Sequence, residues 1–181
     1  MNENMAKKKL LRNAVDWVLV ILLSAMFSFF ISRFIILNAS VPTASMAGTI
    51  MSGDRVIAFR LAYFFRDPQA LDIIIFRSPD DGDTLLVKRI IGVGGDVVNI
   101  VGGRVYINNN YEPLQESFVQ GETSGDFGPF YVPYGHFFVL GDNRNISRDS
   151  RRWYNVYVER NQILGRVVFR YFPRFQNLAN N

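Results

Sequence analysis

Two side chains in this sequence could together turn a hydroxyl into a nucleophile. They are Ser45, just past a long apolar stretch, and Lys88, which follows 43 residues later in a strand-like run. A lysine can accept the proton of a serine only if its surroundings hold the amine neutral. Because side chains alternate along a strand, Leu86, Lys88 and Ile90 share one face, and aliphatic neighbours would lower the lysine pKa. The pair is a candidate Ser–Lys dyad, although each residue alone would more simply be an ordinary loop or surface residue.

Composition removes several other chemistries. The chain has no cysteine, which excludes thiol nucleophiles, disulfides and iron–sulfur clusters. The chain has one histidine, His136, so it cannot form a His-rich metal site. We interpret His136 as a structural residue. The net charge is +4, and no basic stripe with interleaved aromatic residues is present. We therefore expect no His-rich metal site and no nucleic-acid partner.

An apolar stretch at residues 15–37 has the length of a membrane span. As a helix it would extend about 35 Å, which is enough to cross a hydrocarbon core ~30 Å thick. Basic side chains precede it at Lys7, Lys8, Lys9 and Arg12. The positive-inside rule then predicts a cytoplasmic basic tail at residues 1–14, a single-pass membrane anchor and everything after residue 38, with the candidate dyad, on the extracytoplasmic side.

The alternative for this stretch is a cleavable secretory signal. Its uninterrupted apolar part, Trp17 to Ile31, has only 15 residues, at the upper edge of a signal-peptide core. A cleavage site near Ala39 would place Leu37 where a small side chain is needed. We favour the anchor.

The chain beyond residue 38 is predicted to be mostly β. Short runs of β-branched and aromatic residues alternate with Gly, Pro and Asp, and Gly102 with Gly103 predicts a tight hairpin. We expect an antiparallel β-sheet catalytic domain with a small β insertion, preceded by one N-terminal transmembrane helix. The predicted bounds are 38–96 and 136–172 for the catalytic domain, 97–135 for the insertion and 173–181 for a frayed tail.

A cluster of aromatic residues at positions 61–65 lies between two predicted strands. We favour its burial in the core. The alternative is contact with the lipid bilayer, because aromatic rings are suited to the membrane interface.

Three segments carry a family resemblance in their order and spacing. They are VPTASMAGTI at residues 41–50, KRIIG at residues 88–92 and GDNRNISRDSRRW at residues 141–153. Together they resemble the bacterial type I signal peptidases, membrane-bound serine proteases that remove secretory signal peptides. The third segment is the most specific, whereas a Ser-Met pair by itself carries little weight.

The resemblance implies a role for each matching residue. Ser45 is the expected nucleophile and Lys88 the expected general base. Ser147 matches a hydroxyl that hydrogen-bonds and orients the lysine, and Asp149 and Arg151 match a supporting ion pair. A neutral amine needs an acceptor for one N–H, and the Ser147 oxygen can serve.

Substrate contacts are expected around the nucleophile. The hydroxyl of Thr43 matches a donor to the tetrahedral oxyanion in some family members, although a turn residue is the alternative. Met46 and Leu86 are assigned to substrate binding, although core filling explains Met46 equally well. Ala44 departs from the family's usual Gly and would be strained if its φ had to be positive.

The resemblance implies a membrane-anchored serine endopeptidase that uses no metal and no cofactor. Its partners would be the lipid bilayer and the signal peptides of exported preproteins, cut after Ala-x-Ala-like sites. A specialised peptidase that matures one pilin or conjugation substrate is an open alternative. A relative of the self-cleaving repressors lacks support, because there is a membrane span and no DNA-binding segment. A catalytically silent, membrane-tethered binding module is a rival of a different class.

Overall fold

A computed structural model describes residues 2–119 and 124–179 of the chain. Residues 120–123 of the predicted insertion, and Met1, Asn180 and Asn181 of the predicted tails, lie outside the described part. The chain divides into two units, Met1–Ile36 and Leu37–Asn181.

The first unit is a long helix with exposed apolar side chains. Helix α1 runs over Asn2–Phe30 and is followed by a π-helical turn over Ile31–Ile35. Within the described residues this is the one helix with the length and composition needed to cross a membrane. The helix begins well before residue 15, so the predicted 1–14 tail is helical from Asn2 onward. The predicted span is also too long at its other end, because residues 36 and 37 are in a strand.

The rest of the chain, from Ile36 onward, forms two antiparallel sheets. Its strands are β1 (Ile36–Ser40), β2 (Arg55–Phe59), β3 (Ile73–Arg77), β4 (Leu85–Val93), β5 (Val97–Val101), β6 (Arg104–Ile107), β7 (Phe127–Tyr131), β8 (His136–Leu140), β9 (Val158–Glu159), β10 (Ile163–Phe172) and β11 (Gln176–Asn177). The large sheet has the order β1-β2-β10-β3-β4-β8-β9, with β11 paired to β10. The small sheet has the order β6-β5-β7 and lies in the chain between β4 and β8. The predicted fold class is confirmed.

Strand β4 has two different neighbours along its length. Strand β3 pairs with it from Arg77↔Leu85 to Ile73↔Arg89. Strand β8 pairs with it only from Arg89↔Leu140 onward. Within the described part of the chain, no strand pairs with the second edge of residues 85–88, so that edge is open.

The core fixes the segment that carries Ser45. Val41, Met46 and Ile50 are buried in one apolar cluster with residues of strands β2, β3 and β10. Burying an apolar side chain of this size contributes roughly 1.5–3 kcal/mol. The residues around Ser45 are therefore fixed by their packing into the core, and they do not form a flexible loop.

The predicted frayed tail is wrong for residues 176–179. Strand β11 pairs with β10 at Phe169↔Asn177 and Arg170↔Gln176. Leu178 is buried in the same cluster as Met46. An apolar side chain near the end of a polar segment gave too weak a pattern to predict this docking.

The aromatic cluster at residues 61–65 is divided between core and surface. Tyr63 is buried and its hydroxyl donates to Asp72 Oδ2 at 3.0 Å. Phe64 and Phe65 are 77% and 85% exposed and contact each other edge to face. The expectation of burial is therefore wrong for these two rings.

Candidate active site

The proposed nucleophile lies in a single 3-10 turn. Ser45 is the middle residue of Ala44–Met46, and its side chain is almost buried. Below the turn, the amide of Ile50 donates to the carbonyl of Met46 at 2.8 Å. Ala44 is not among the described residues with positive φ, so the departure from glycine there brings no strain of that kind.

The proposed base reaches this serine from strand β4. Lys88 Nζ donates a hydrogen bond to Ser45 Oγ at 2.7 Å, and Lys88 is only 3% exposed. Burial lowers the pKa of Lys88 from 10.5 to about 8, although the carboxylates of Asp149 and Asp142 act in the opposite direction. An amine with this pKa is neutral in a useful fraction of molecules near neutral pH, as a general base requires.

The hydroxyl of Thr43 lies beside the proposed nucleophile. Thr43 Oγ1 is 3.3 Å from Ser45 Oγ, and either atom can donate. Thr43 as a whole residue is exposed. This position is suitable for a donor to an oxyanion formed at Ser45.

Asp149 and Arg151 form the expected ion pair. Arg151 Nε donates to Asp149 Oδ1 at 2.8 Å, and Arg151 Nη2 donates to Asp149 Oδ2 at 2.9 Å. Both side chains are buried. The same guanidinium donates to the carbonyl of Arg144 at 2.8 Å, and Asp149 Oδ2 accepts from the amide of Gly141 at 3.1 Å. The pair therefore fixes residues 141–151, which we call the catalytic loop.

Ser147 is buried in the catalytic loop but does not make the expected hydrogen bond. Its Oγ has no hydrogen-bond partner among the described residues. A Cβ added at Gly141 would lie 2.3 Å from Ser147 Oγ and 2.4 Å from the carbonyl oxygen of Ser45. Ser147 is therefore packed near the nucleophile, while the lysine amine is directed to Ser45.

The structure corrects one substrate-binding assignment. Met46 is 0% exposed and fills the core cluster, so its side chain is not available to a substrate in this conformation. Leu86 is half-buried on strand β4 beside the open edge, and its assignment to substrate binding stays a prediction.

Sequence reasoning missed a second buried ion pair beside the dyad. Arg89 Nε donates to Asp142 Oδ1 at 2.9 Å and Arg89 Nη2 donates to Asp142 Oδ2 at 2.7 Å, with both side chains buried. Thr49 Oγ1 also donates to Asp142 Oδ2, at 2.6 Å. This network connects the turn after Ser45, strand β4 and the catalytic loop. The position of Arg89 directly after Lys88 is the sequence feature that could have indicated a role for this arginine near the dyad.

Two further observations on the described residues concern acidic clusters and the one histidine. No group of three or more His, Asp or Glu side chains there could hold a metal ion. His136 begins strand β8, where its Nδ1 lies 3.1 Å from the carbonyl of Tyr134. This contact is consistent with its interpretation as a structural residue.

Comparison with known proteins identifies the family. The family described as "Signal peptidase, peptidase S26" matches residues 14–172, well over half of the chain. The chain belongs to this signal peptidase family. Its members are serine endopeptidases, and the predicted family is confirmed.

Named relatives agree with this assignment. The signal peptidase I of Leptolyngbya laminosa is 37% identical over 158 residues, which cover 83% of this chain and 76% of the relative. The signal peptidase I of Bacillus licheniformis is 32% identical over 166 residues, covering 87% of this chain and 88% of the relative.

Two further matches cover a smaller part of one of the two aligned proteins. The chloroplastic thylakoidal processing peptidase 1 of Arabidopsis thaliana is 40% identical over 144 residues, and the match covers 74% of this chain and 41% of that protein. This chain thus spans less than half the length of that relative. A crystal structure of a signal peptidase I from Enterococcus faecalis is 34% identical and covers 56% of this chain and 97% of its own, with a TM-score of 0.47.

Proposed function

We propose that this signal peptidase family member is a membrane-anchored serine endopeptidase that removes signal peptides from exported preproteins. The observation that carries the proposal is the 2.7 Å contact between Lys88 Nζ and Ser45 Oγ. Two residues far apart in the chain meet there, both nearly buried, and the pKa of the amine is lowered to about 8.

The chemistry proceeds as an acyl transfer through the serine. The neutral amine of Lys88 takes the proton of Ser45, and Ser45 Oγ attacks the scissile carbonyl carbon. The oxyanion is stabilised by the Ser45 backbone N–H and the Thr43 hydroxyl. The ammonium then gives its proton to the leaving amine, which frees the mature protein. Water, activated by the same amine, hydrolyses the acyl-enzyme and restores Ser45.

The open edge of β4 is the proposed binding place for the substrate. An extended peptide can add a strand along residues 85–88, which end at the catalytic lysine. Backbone hydrogen bonds would supply affinity independently of sequence, whereas side-chain contacts, Leu86 among them, would select small residues at the Ala-x-Ala-like site.

The anchor would place this chemistry next to a membrane-inserted signal peptide. Helix α1 and the family support membrane anchoring. We propose further that the N-terminus is cytoplasmic, because Lys7, Lys8, Lys9 and Arg12 precede the apolar stretch, and that the catalytic domain is on the outer face of the cell membrane.

The test is to identify the products of one cleavage. The full-length protein in detergent is incubated with a preprotein that carries an Ala-x-Ala site and with a matched preprotein in which both alanines are changed to tryptophan. A mature product that begins directly after Ala-x-Ala, formed only from the first substrate, supports the proposal. No cleavage of several such preproteins, with cleavage of a pilin-type precursor, would favour the specialised maturation peptidase. No cleavage of any precursor would favour the silent binding module.

A further inference from the structure

Two buried arginines beside the dyad have partners outside the main sheet. Arg89 and Arg144 are both almost completely buried, and a buried guanidinium needs partners that compensate for its lost hydration. Part of their pairing comes from residues 116–118, a segment of the chain that leaves the small sheet after β6 and precedes β7.

Phe118 covers the guanidinium of Arg89. The Cζ atom of Arg89 lies 3.8 Å from the centroid of the Phe118 ring, a close cation–π contact. The edge of the same guanidinium donates to Asp142 through Nε and Nη2, and Asp142 also accepts the Thr49 hydroxyl. The ring therefore covers one face of the Arg89 guanidinium. The ion pair of Arg89 with Asp142 connects strand β4 to the catalytic loop.

Glu116 binds the other arginine. Arg144 Nη1 donates to Glu116 Oε2 at 3.0 Å, and Arg144 Nη2 contacts Glu116 Oε1 as well. Arg144 Nε donates to the carbonyl of Gly141 at 3.1 Å, and the carbonyl of Arg144 accepts from Arg151. Glu116 thus supports both ends of the catalytic loop through a single arginine.

We propose that Glu116 and Phe118 are positioning residues for the catalytic lysine. Acting through Arg144 and Arg89, they hold the catalytic loop against strand β4 and keep water away from the Lys88 amine. The proposal rests on the proposed function, because it concerns how that function's base is kept neutral. Neither side chain touches the reacting atoms.

The charges around Lys88 explain why this closure matters. Asp142 and Asp149, both from the catalytic loop, are the carboxylates that raise its pKa, and burial is the larger effect that lowers it. Each carboxylate is held by an arginine, Arg89 or Arg151. If the Arg89–Asp142 pair loosened, the negative charge of Asp142 would be less well neutralised by Arg89, and water could reach the Lys88 amine. Both changes favour the ammonium, so the pKa of Lys88 would rise.

The test compares pH profiles of variants. Phe118→Leu and Glu116→Asp, which keeps the charge but shortens the side chain, are compared with wild type and with Glu112→Gln, a control in the same segment whose side chain is exposed. The acidic limb of kcat/KM should move up by about half to one pH unit in the two test variants, which lowers the rate about three- to tenfold at neutral pH. Near pH 10 both should approach the wild-type rate, and Glu112→Gln should match wild type throughout. A loss that is equal at every pH would mean a merely structural role and overturn the proposal.

A second readout does not depend on activity. The chain has four lysines, and three of them are Lys7, Lys8 and Lys9, so the side-chain ¹³C resonance of Lys88 can be followed in the full-length protein. Its titration midpoint should be higher in Phe118→Leu than in wild type, and Phe118→Tyr should restore it. An unchanged midpoint overturns the inference even if the wild type cleaves preproteins. If the wild type cleaves none, the proposed function fails while this titration still decides the role of Phe118.

Discussion

At the scale of single residues, Lys88 places catalysis in conflict with stability. Burial that lowers the pKa of the amine makes it a base, but it also disfavours the folded state at pH values where the amine is charged. In the unfolded chain the amine has its ordinary pKa of 10.5, and in the folded protein the value is about 8. Between these values the unfolded chain binds one proton more than the folded protein, so stability rises with pH across that window.

We predict that Lys88→Met is inactive but more stable than wild type at pH 7. Methionine fills a similar volume without a charge, so the gain can reach about 3 kcal/mol, since each pKa unit corresponds to ~1.4 kcal/mol. The advantage should shrink as the pH rises from 8 through 10.5. Chemical denaturation of both proteins at pH 7 and pH 10 measures it. A variant less stable than wild type at pH 7 would show that the amine is not desolvated.

Ser147 and Ser150 offer a matched pair in the catalytic loop. Both are fully buried, but Ser150 Oγ accepts from the amide of Val139 at 3.0 Å, whereas Ser147 Oγ has no partner among the described residues. We predict that Ser147→Ala lowers kcat at least about tenfold with little change in stability, because its hydroxyl orients the amine only as the proton is transferred. Ser150→Ala should cost about 1–3 kcal/mol of stability and leave kcat near wild type, because it strands a buried N–H. Thermal unfolding with kinetics separates the two. Unchanged kcat in Ser147→Ala would remove this serine from the mechanism.

At the scale of elements, the packing of the catalytic loop against the serine turn is tight. The amide of Asn143 donates to the carbonyl of Ser45 at 3.0 Å, and Gly141 lies where a side chain would collide with that carbonyl. This collision involves backbone, so it cannot be relieved by a side-chain rotation. The glycine is therefore needed for the approach of the two elements.

We predict that Gly141→Ala loses almost all activity, at least about a hundredfold, because a shift of about 1 Å in a catalytic group can cost that much. The control is Gly92→Ala in strand β4, where the added Cβ would meet the Val98 side chain at 2.5 Å, away from the dyad. That variant should lose stability yet keep its kcat at a temperature where it is folded. Equal kinetic losses in both glycine variants would contradict the positioning role of Gly141.

Sequence patterns predicted the elements better than their contacts. The β4 run and the Gly102-Gly103 hairpin follow from local rules, since alternation and turn chemistry act over a few residues. The pairing of Arg89 with Asp142 and the cover provided by Phe118 join distant segments, and no local pattern encodes them. Leu178 is a similar case, because one apolar residue in a polar tail has no periodicity to read.

At the scale of the whole molecule, two features have the composition of membrane-contacting elements. Helix α1 has the length and composition of a span, and the second unit has an exposed aromatic pair, Phe64 and Phe65. Aromatic rings are favoured at the interface between lipid and water. We predict that this pair contacts the bilayer.

We predict that the double variant Phe64→Ser and Phe65→Ser cleaves a membrane-inserted preprotein more slowly, by about three- to tenfold, since it loses apolar area at the interface. It should cleave a short soluble signal-peptide substrate at the wild-type rate. Tyr111→Ser, a change at another fully exposed aromatic residue, is the control. Equal rates on both substrates for the double variant would place these rings outside membrane contact.

The central claim is that Ser45 and Lys88 together cleave signal peptides, and one measurement tests it most directly. Cleavage of a preprotein by the full-length protein is compared among wild type, Ser45→Ala and Lys88→Arg, after circular dichroism has shown that all three are folded. The proposed mechanism predicts turnover by wild type and none above background by either variant, because nucleophile and base act as one unit and a guanidinium does not release its proton. Cleavage by Ser45→Ala at a rate near that of wild type would contradict it.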